Sequence, residues 1–351
     1  MALLCNSPFS YADDAFKDAT GDAKVVGLIF MSNDQPGCAG ALIEPRIVYT
    51  SAHCIARVFK NENFYETKTW SRPVESGEIT EKFHDLWVTY PGIQVPNGGT
   101  EKKVRVIAQF APTEYKDSCQ VRTCHPSLFD FAVLILEKPI PTTKIRFADT
   151  NEIEKLIITN SIVSGFGYGA RDWSEITAQM NGQGLPGNPT EFFGTLRPEN
   201  DILFEGTKEL NSPYKRFMTI ETKFLDQTKP GPGAISGGPL FAKINGEDVY
   251  VGALSAVNGP FARINPTDPL WKDEFWSKNA GGEYYTAQAF TSIIEKANEY
   301  LKARLVKEME IAKAEADAKA KKKITISCTK GKIIKKITAF NPKCPIGFKK
   351  K

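Results

Sequence analysis

Between residues 24 and 285 the apolar positions fall in short runs rich in Val, Ile, Phe and Tyr, each bounded by Gly, Pro, Asn or Asp. Runs of this kind read as strands. They predict strands at 25–31, 39–43, 47–50, 104–110, 131–136, 157–164, 217–222, 239–243, 249–256 and 284–290. So many short strands with no helical stretch between them predict an all-β fold of antiparallel barrels or sandwiches. Two polar or Gly/Pro-rich stretches, 61–103 and 170–211, exceed the usual loop length and read as surface insertions, where binding specificity tends to reside. After Phe290 the period changes. Ile293, Ile294, Ala297, Leu301 and Leu305 recur at helical spacing, and Ala, Lys and Glu then dominate up to Lys323. That pattern predicts a helix docked at its start and solvated at its end. The last segment, 324–351, holds two cysteines sixteen positions apart and reads as a small separate module or a stapled tail.

Composition sharpens this picture in three ways. A chain of 351 residues with 41% hydrophobic content can bury one large core or two smaller ones. No window offers the roughly 18 uninterrupted apolar residues of a membrane-spanning helix. Net charge is +4, yet residues 321–351 carry eleven lysines and no acid, which leaves the rest of the chain at −7. The basicity therefore belongs to the tail, and nucleic-acid binding by the body gains no support from it. The tail itself reads either as a surface for anionic polymers of a cell envelope or as a solubilising end.

Seven cysteines, at 5, 38, 54, 119, 124, 328 and 344, lack the paired C-x-x-C spacing of a zinc site and read as disulfide formers. Residues 1–12 end in Ser10-Tyr11-Ala12 before two acids, which looks like a signal-peptidase junction without its basic segment and most of its hydrophobic stretch. Cleavage there would remove Cys5 and leave six cysteines, an even set suited to a secreted or cell-surface protein. The alternative is an ordinary N-terminus with a free Cys5. His84 and His125 read as surface-loop residues, since no spacing such as H-E-x-x-H marks a metal site. No metal and no cofactor is expected.

Three local signals carry chemistry. Thr50-Ser51-Ala52-His53-Cys54 closes an apolar strand. An imidazole held there can act as base and then as acid within one turnover, because its ordinary pKa lies near neutrality; the alternative is a structural histidine beside a disulfide. Asp130 opens the apolar run 131–136. A carboxylate at the mouth of a buried strand needs hydrogen bonds, and an imidazole N–H would supply one; the alternative is a turn residue at a strand entrance. Gly233-Ala234-Ile235-Ser236-Gly237-Gly238-Pro239 is the most specific signal. Glycines around a serine let the chain turn sharply, so that the hydroxyl projects while nearby N–H groups converge where negative charge would develop on an attacked carbonyl. The alternative is a Gly-rich hairpin with an incidental serine.

Together the segments resemble the chymotrypsin/trypsin family, in the chain order His, Asp, Ser. Cys38 precedes Cys54 by sixteen residues, as in that family's disulfide beside its histidine. Ser164-Gly165-Phe166-Gly167 is similar to the family's Ser/Thr-Gly-Trp-Gly segment. Val251-Gly252-Ala253-Leu254-Ser255 is similar to the strand whose serine supports the aspartate, and Tyr284-Tyr285-Thr286 to the closing strand before the C-terminal helix. The resemblance implies two antiparallel six-stranded barrels with the active site between them, a C-terminal helix, and His53, Asp130 and Ser236 as a triad. It implies an oxyanion hole from the N–H groups of Ala234 and Ser236, and a substrate strand along Ser255, Ala256 and Val257. Cys38 would pair with Cys54, Cys119 with Cys124 in a small loop near the cleft, and Cys328 with Cys344 in the tail. The implied layout is a possible signal remnant at 1–12, a protease domain at 13–305, a charged helical linker at 306–323 and a Lys-rich two-cysteine tail at 324–351.

Departures from the family pattern matter as much. Ala234 and Ile235 stand where the family has glycine and aspartate, and no Ile-Val-Gly-Gly start precedes Cys38, so activation by a freshly cut N-terminal amine is not expected. Ala234 would strain a backbone that glycine allows. Two readings follow: a secreted serine endopeptidase acting on protein or peptide substrates through an acyl-enzyme, and a catalytically silent homologue that binds proteins on the same scaffold. Pro230 replaces the acid of trypsin-like members at the base of the primary pocket. Glu283 resembles that pocket's wall, where a carboxylate would attract a basic side chain; taken alone it reads as a solvated turn residue.

Overall fold

The computed structural model describes residues 16–22, 24–30, 36–56, 86–93, 102–112, 129–168, 189–198, 218–225, 236–258 and 281–351. Cys5, His84, Cys119, Cys124, His125, Pro230, Ala234 and Ile235 lie outside them, and so do the expectations placed on these residues.

Six strands form the first barrel: β2 (Val25–Phe30), β3 (Pro36–Glu44), β4 (Ile47–Thr50), β5 (Leu86–Thr89), β6 (Lys103–Phe110) and β7 (Ala132–Leu136), with β1 (Phe16–Asp18) preceding them in the chain. They close antiparallel in the order β2-β3-β4-β7-β6-β5, the pairing of β5 with β2 completing the ring. All five side chains of β7 are buried, as befits a strand covered on both faces, whereas β6 alternates between half-buried and buried along most of its length. Val26, Leu42, Val48, Val88, Val106 and Leu134 are central to its core.

The second sheet contains β8 (Ile162–Gly167), β9 (Thr190–Pro198), β10 (Thr219–Phe224), β11 (Pro239–Ile244), β12 (Glu247–Asn258) and β13 (Gly281–Thr286). Its order is β1-β9-β10-β13-β12-β11-β8, and β8 also pairs with β9, so six strands form a second ring with β1 appended. The fold is therefore all-β, two six-stranded antiparallel barrels followed by a C-terminal helix. Aromatic rings fill the seam between the barrels: Tyr49 meets Phe131 and Tyr250 edge-on at 5.4 Å each, and Phe131 stacks on Phe290 at 4.9 Å.

Several expectations need correction. Residues 157–164 are not one strand. A helix, α2 (Thr150–Ile158), ends there and β8 starts only at Ile162; it follows the short α1 (Ala52–Ala56). Asp149 accepts from the Glu152 N–H and Glu152 answers the Asp149 N–H, a capping box that starts a helix where apolar content alone suggested a strand. Ile153 and Leu156 are its buried face, while Ile158 is left exposed. Residues 284–290 divide likewise: β13 ends at Thr286 and a 3-10 turn, Ala287–Phe290, follows. The stretches 61–103 and 170–211 are not insertions throughout, because the first contains β5 and the second β9. A four-residue strand, and a strand interrupted by Gly194, leave too little apolar pattern to be seen against their polar flanks.

The chain divides into two compact units, Met1–Ala297 and Asn298–Lys351. The long helix α3 (Thr291–Lys321) crosses from one to the other. In the first unit Ile293, Ile294 and Ala297 are buried; from Asn298 onward the helix side chains are mostly exposed, Leu305 included. The second unit continues with a three-stranded sheet, β15 (Ile333–Ala339), β14 (Ile324–Lys330) and β16 (Lys349–Lys350) in that order, closed by the Cys328–Cys344 disulfide. No helix among the described residues is long and apolar enough to cross a membrane.

Candidate active site

The site forms where the end of β4 meets β12 and the turn before β11. Thr50 and Ser51 are wholly buried and tied by their hydroxyls, Thr50 donating to the Ala39 carbonyl at 2.8 Å and Ser51 to the Leu254 carbonyl at 2.7 Å. The second of these bonds joins one barrel to the other. It delivers α1 to the seam, and with it His53, half-buried with 12% of its side chain exposed. A disulfide between Cys38 and Cys54 pins the same corner to β3.

Asp130 is completely buried just before β7, and its carboxylate accepts three hydrogen bonds. The His53 backbone N–H reaches one oxygen at 2.8 Å; His53 Nδ1 and Ser255 Oγ both reach the other at 2.6 Å. Because an ionised carboxylate only accepts, Nδ1 is the donor of this bond, so the tautomer that fits as a neutral imidazole is the one with its lone pair on Nε2. These bonds offset the cost of burying the charge.

Ser236 is half-buried on the turn that leads into β11. Its carbonyl accepts from the Ala39 N–H at 2.8 Å, and the next N–H, that of Gly237, donates to the Leu254 carbonyl at 2.8 Å. Gly237 has a φ of +73°, and a Cβ there would overlap the Thr50 hydroxyl and the Ala39 carbonyl and lie 3.1 Å from Cys54 Sγ. Only glycine fits so tightly against the residues that flank His53. His53 Nε2 is itself 3.7 Å from Cys54 Sγ, so the serine turn and the imidazole share one corner of the molecule. His53 and the two cysteines cluster closely enough to suggest a metal site, but both sulfurs are consumed in the disulfide.

Ser255, Ala256 and Val257 lie on β12, with Ala256 in register with Glu283 and Val257 with Gly282 of β13. Glu283 corrects an expectation: it is wholly buried inside β13 and is not a solvated turn residue. It lies in register with Glu221 of β10, also wholly buried, and Arg197 Nε reaches Glu221 Oε2 at 2.7 Å. Two carboxylates on adjacent buried strands need such a cation nearby. Glu221 and Arg197 carry no local signal, because their pairing depends on the register of β9, β10 and β13. For Tyr285, named in the sequence only as part of a closing strand, the fold adds a contact: its hydroxyl accepts from the Phe129 N–H, one position before Asp130, at 3.2 Å.

No family model and no curated protein matches the chain. Among solved structures it is similar to the secreted serine protease VesC from Vibrio cholerae, with 16% identity and a TM-score of 0.48 over 78% of this chain and 46% of that one. The chain thus matches less than half the length of that protein, and at this identity the similarity assigns it neither a family nor an activity.

Proposed function

We propose that the chain is a serine endopeptidase with Ser236 as nucleophile, His53 as general base and acid, and Asp130 as the group that orients the imidazole. The observation that carries this reading is the dedication of one buried carboxylate to a single imidazole, through both the backbone and the ring of His53 with Ser255 as a further donor. Such a carboxylate holds the ring in one tautomer and stabilises the imidazolium that forms when the nucleophile loses its proton. Ser236 attacks a peptide carbonyl, His53 takes the hydroxyl proton and returns it to the leaving amine, and water then hydrolyses the acyl-enzyme by the same relay. The N–H groups of Ala234 and Ser236 are the oxyanion donors of this proposal. β12 runs past the first residue of β11, and among the described residues its part from Ser255 to Asn258 pairs only with β13. We place an extended substrate along that edge, beside Ala256 and Val257, with Pro230 and Glu283 bordering the primary pocket. Two disulfides among the described residues support an oxidising, extracellular setting.

A fluorophosphonate probe tests the reading, since only an activated serine reacts with it rapidly. Wild-type chain should label at Ser236, and Ser236→Ala should lose both labelling and at least about a thousandfold of peptide hydrolysis. Hydrolysis undiminished in that variant would remove Ser236 as nucleophile, and a wild-type chain that neither labels nor hydrolyses would favour the silent binding protein.

A further inference from the structure

The C-terminal sheet has one face without a buried apolar side chain, where Thr329 donates to the Lys349 carbonyl at 3.4 Å. Paired and alternate residues of a sheet share a face, so the register places Thr325, Ser327 and Thr329 of β14 beside Thr338, Lys336 and Ile334 of β15 and Lys349 of β16. Thr325 and Thr338 confirm the sharing, their hydroxyls lying 2.6 Å apart. The opposite face holds what core the sheet has: Ile326 and Cys328 are buried there, and Lys335 Nζ lies 5.1 Å over the ring of Phe348. What remains is a central stripe of hydroxyls flanked by the exposed Lys336 and Lys349, in a segment, 324–351, with eight lysines and no Asp or Glu.

We propose that this hydroxyl and lysine face binds a linear polyol-phosphate polymer of a cell envelope. Unneutralised ammonium groups attract a polyanion over distance, and lysines facing one ligand release its counterions on binding. The hydroxyls add what charge alone lacks, donors and acceptors that match both the phosphate oxygens and the free hydroxyls of such a polymer. Two other polyanions fit less well. The exposed ring beside the face, Phe340 just past the end of β15, lies under Lys323 Nζ at 5.4 Å, which occupies the surface on which bases would stack in binders of single-stranded nucleic acid. An anionic bilayer calls for one contiguous apolar side, yet the exposed isoleucines are scattered: Ile324 and Ile333 lie at opposite ends of the β14–β15 ladder and Ile334 on the other face. The proposal is independent of the catalytic reading.

The experiment measures retention of the full-length protein on wall sacculi that carry a polyol-phosphate polymer, on the same sacculi stripped of it by acid, on phosphatidylglycerol vesicles and on single-stranded DNA. Loaded sacculi should retain the protein at least tenfold better than each of the other three. The double variant Lys336→Gln with Lys349→Gln should lose at least fivefold of that retention and flatten its salt dependence, by a slope of roughly one per lysine removed. Ser327→Ala with Thr329→Ala, which leaves the charge intact, should also weaken binding. The control pair Lys302→Gln with Lys307→Gln, on the exposed part of α3, should change it less than twofold. Equal losses in the two lysine pairs would overturn the face as the site, and stronger retention on DNA or vesicles would overturn the occupant.

Discussion

Phe129 adopts a φ of +55°, a left-handed conformation that costs a side chain with a Cβ about 1–2 kcal/mol. It immediately precedes Asp130, and two bonds hold it: its N–H to the Tyr285 hydroxyl at 3.2 Å and its carbonyl to the Phe131 N–H at 2.9 Å. On the proposed mechanism Tyr285 is a positioning residue that fixes the approach of the carboxylate to His53. Tyr285→Phe should lower kcat by about tenfold with little change in KM, since a small misplacement of a catalytic group is felt in the barrier. Adding Phe129→Gly, which adopts this φ without strain, should recover part of the loss. Steady-state kinetics on one peptide substrate checks both, and an unchanged kcat in the single variant would dismiss the role. His53, Asp130 and Ser236 could be picked out one by one as candidates, because each sits in a short segment whose composition marks it. Tyr285, Arg197 and Glu221 could not: their partners lie on other strands, and no local pattern records which strands will be neighbours.

Elements were legible where one physical signal dominated. β7 was visible because a central strand is apolar throughout, and the start of α3 because its buried positions recur every three or four residues. α2 was missed although its capping box, Asp149 with Glu152, was in plain sight. Asp149→Ala should cost about 1 kcal/mol and lower the melting temperature by about 2 °C, measurable by calorimetry. Glu152 adds a pH dependence. A hydrogen bond from Arg146, and one from the Asp149 N–H, hold its carboxyl below the ordinary range. A depressed carboxyl stabilises the fold fully above its unfolded pKa and loses that contribution as pH falls through its lower folded one. Glu152→Gln should therefore be less stable than wild type near neutrality, with the difference shrinking on acidification below about pH 4. A difference that stayed constant with pH would refute the assignment.

For the whole molecule, the Cys328–Cys344 disulfide closes a loop of sixteen positions around a sheet with almost no core, and a loop of that size is worth about 3 kcal/mol. Replacing both cysteines by serine should make residues 324–351 the first site of limited proteolysis. The body, a separate compact unit, should keep its own resistance and melting temperature. Loss of stability in both units would show that they fold as one. By itself the amino-acid sequence determined the all-β class, the places of most strands, the basic tail and the segments that bear the imidazole, the carboxylate and the hydroxyl. These are local properties, written in periodicity, composition and the company each residue keeps. Only the tertiary structure decided that two rings of strands would close against each other through Ser51 and Leu254, that Glu283 would be buried opposite Glu221, and that the tail's hydroxyls would share one face. Those outcomes depend on strand register, and register is set by packing between segments far apart in the chain, where a shift of one residue exchanges every inward side chain for an outward one.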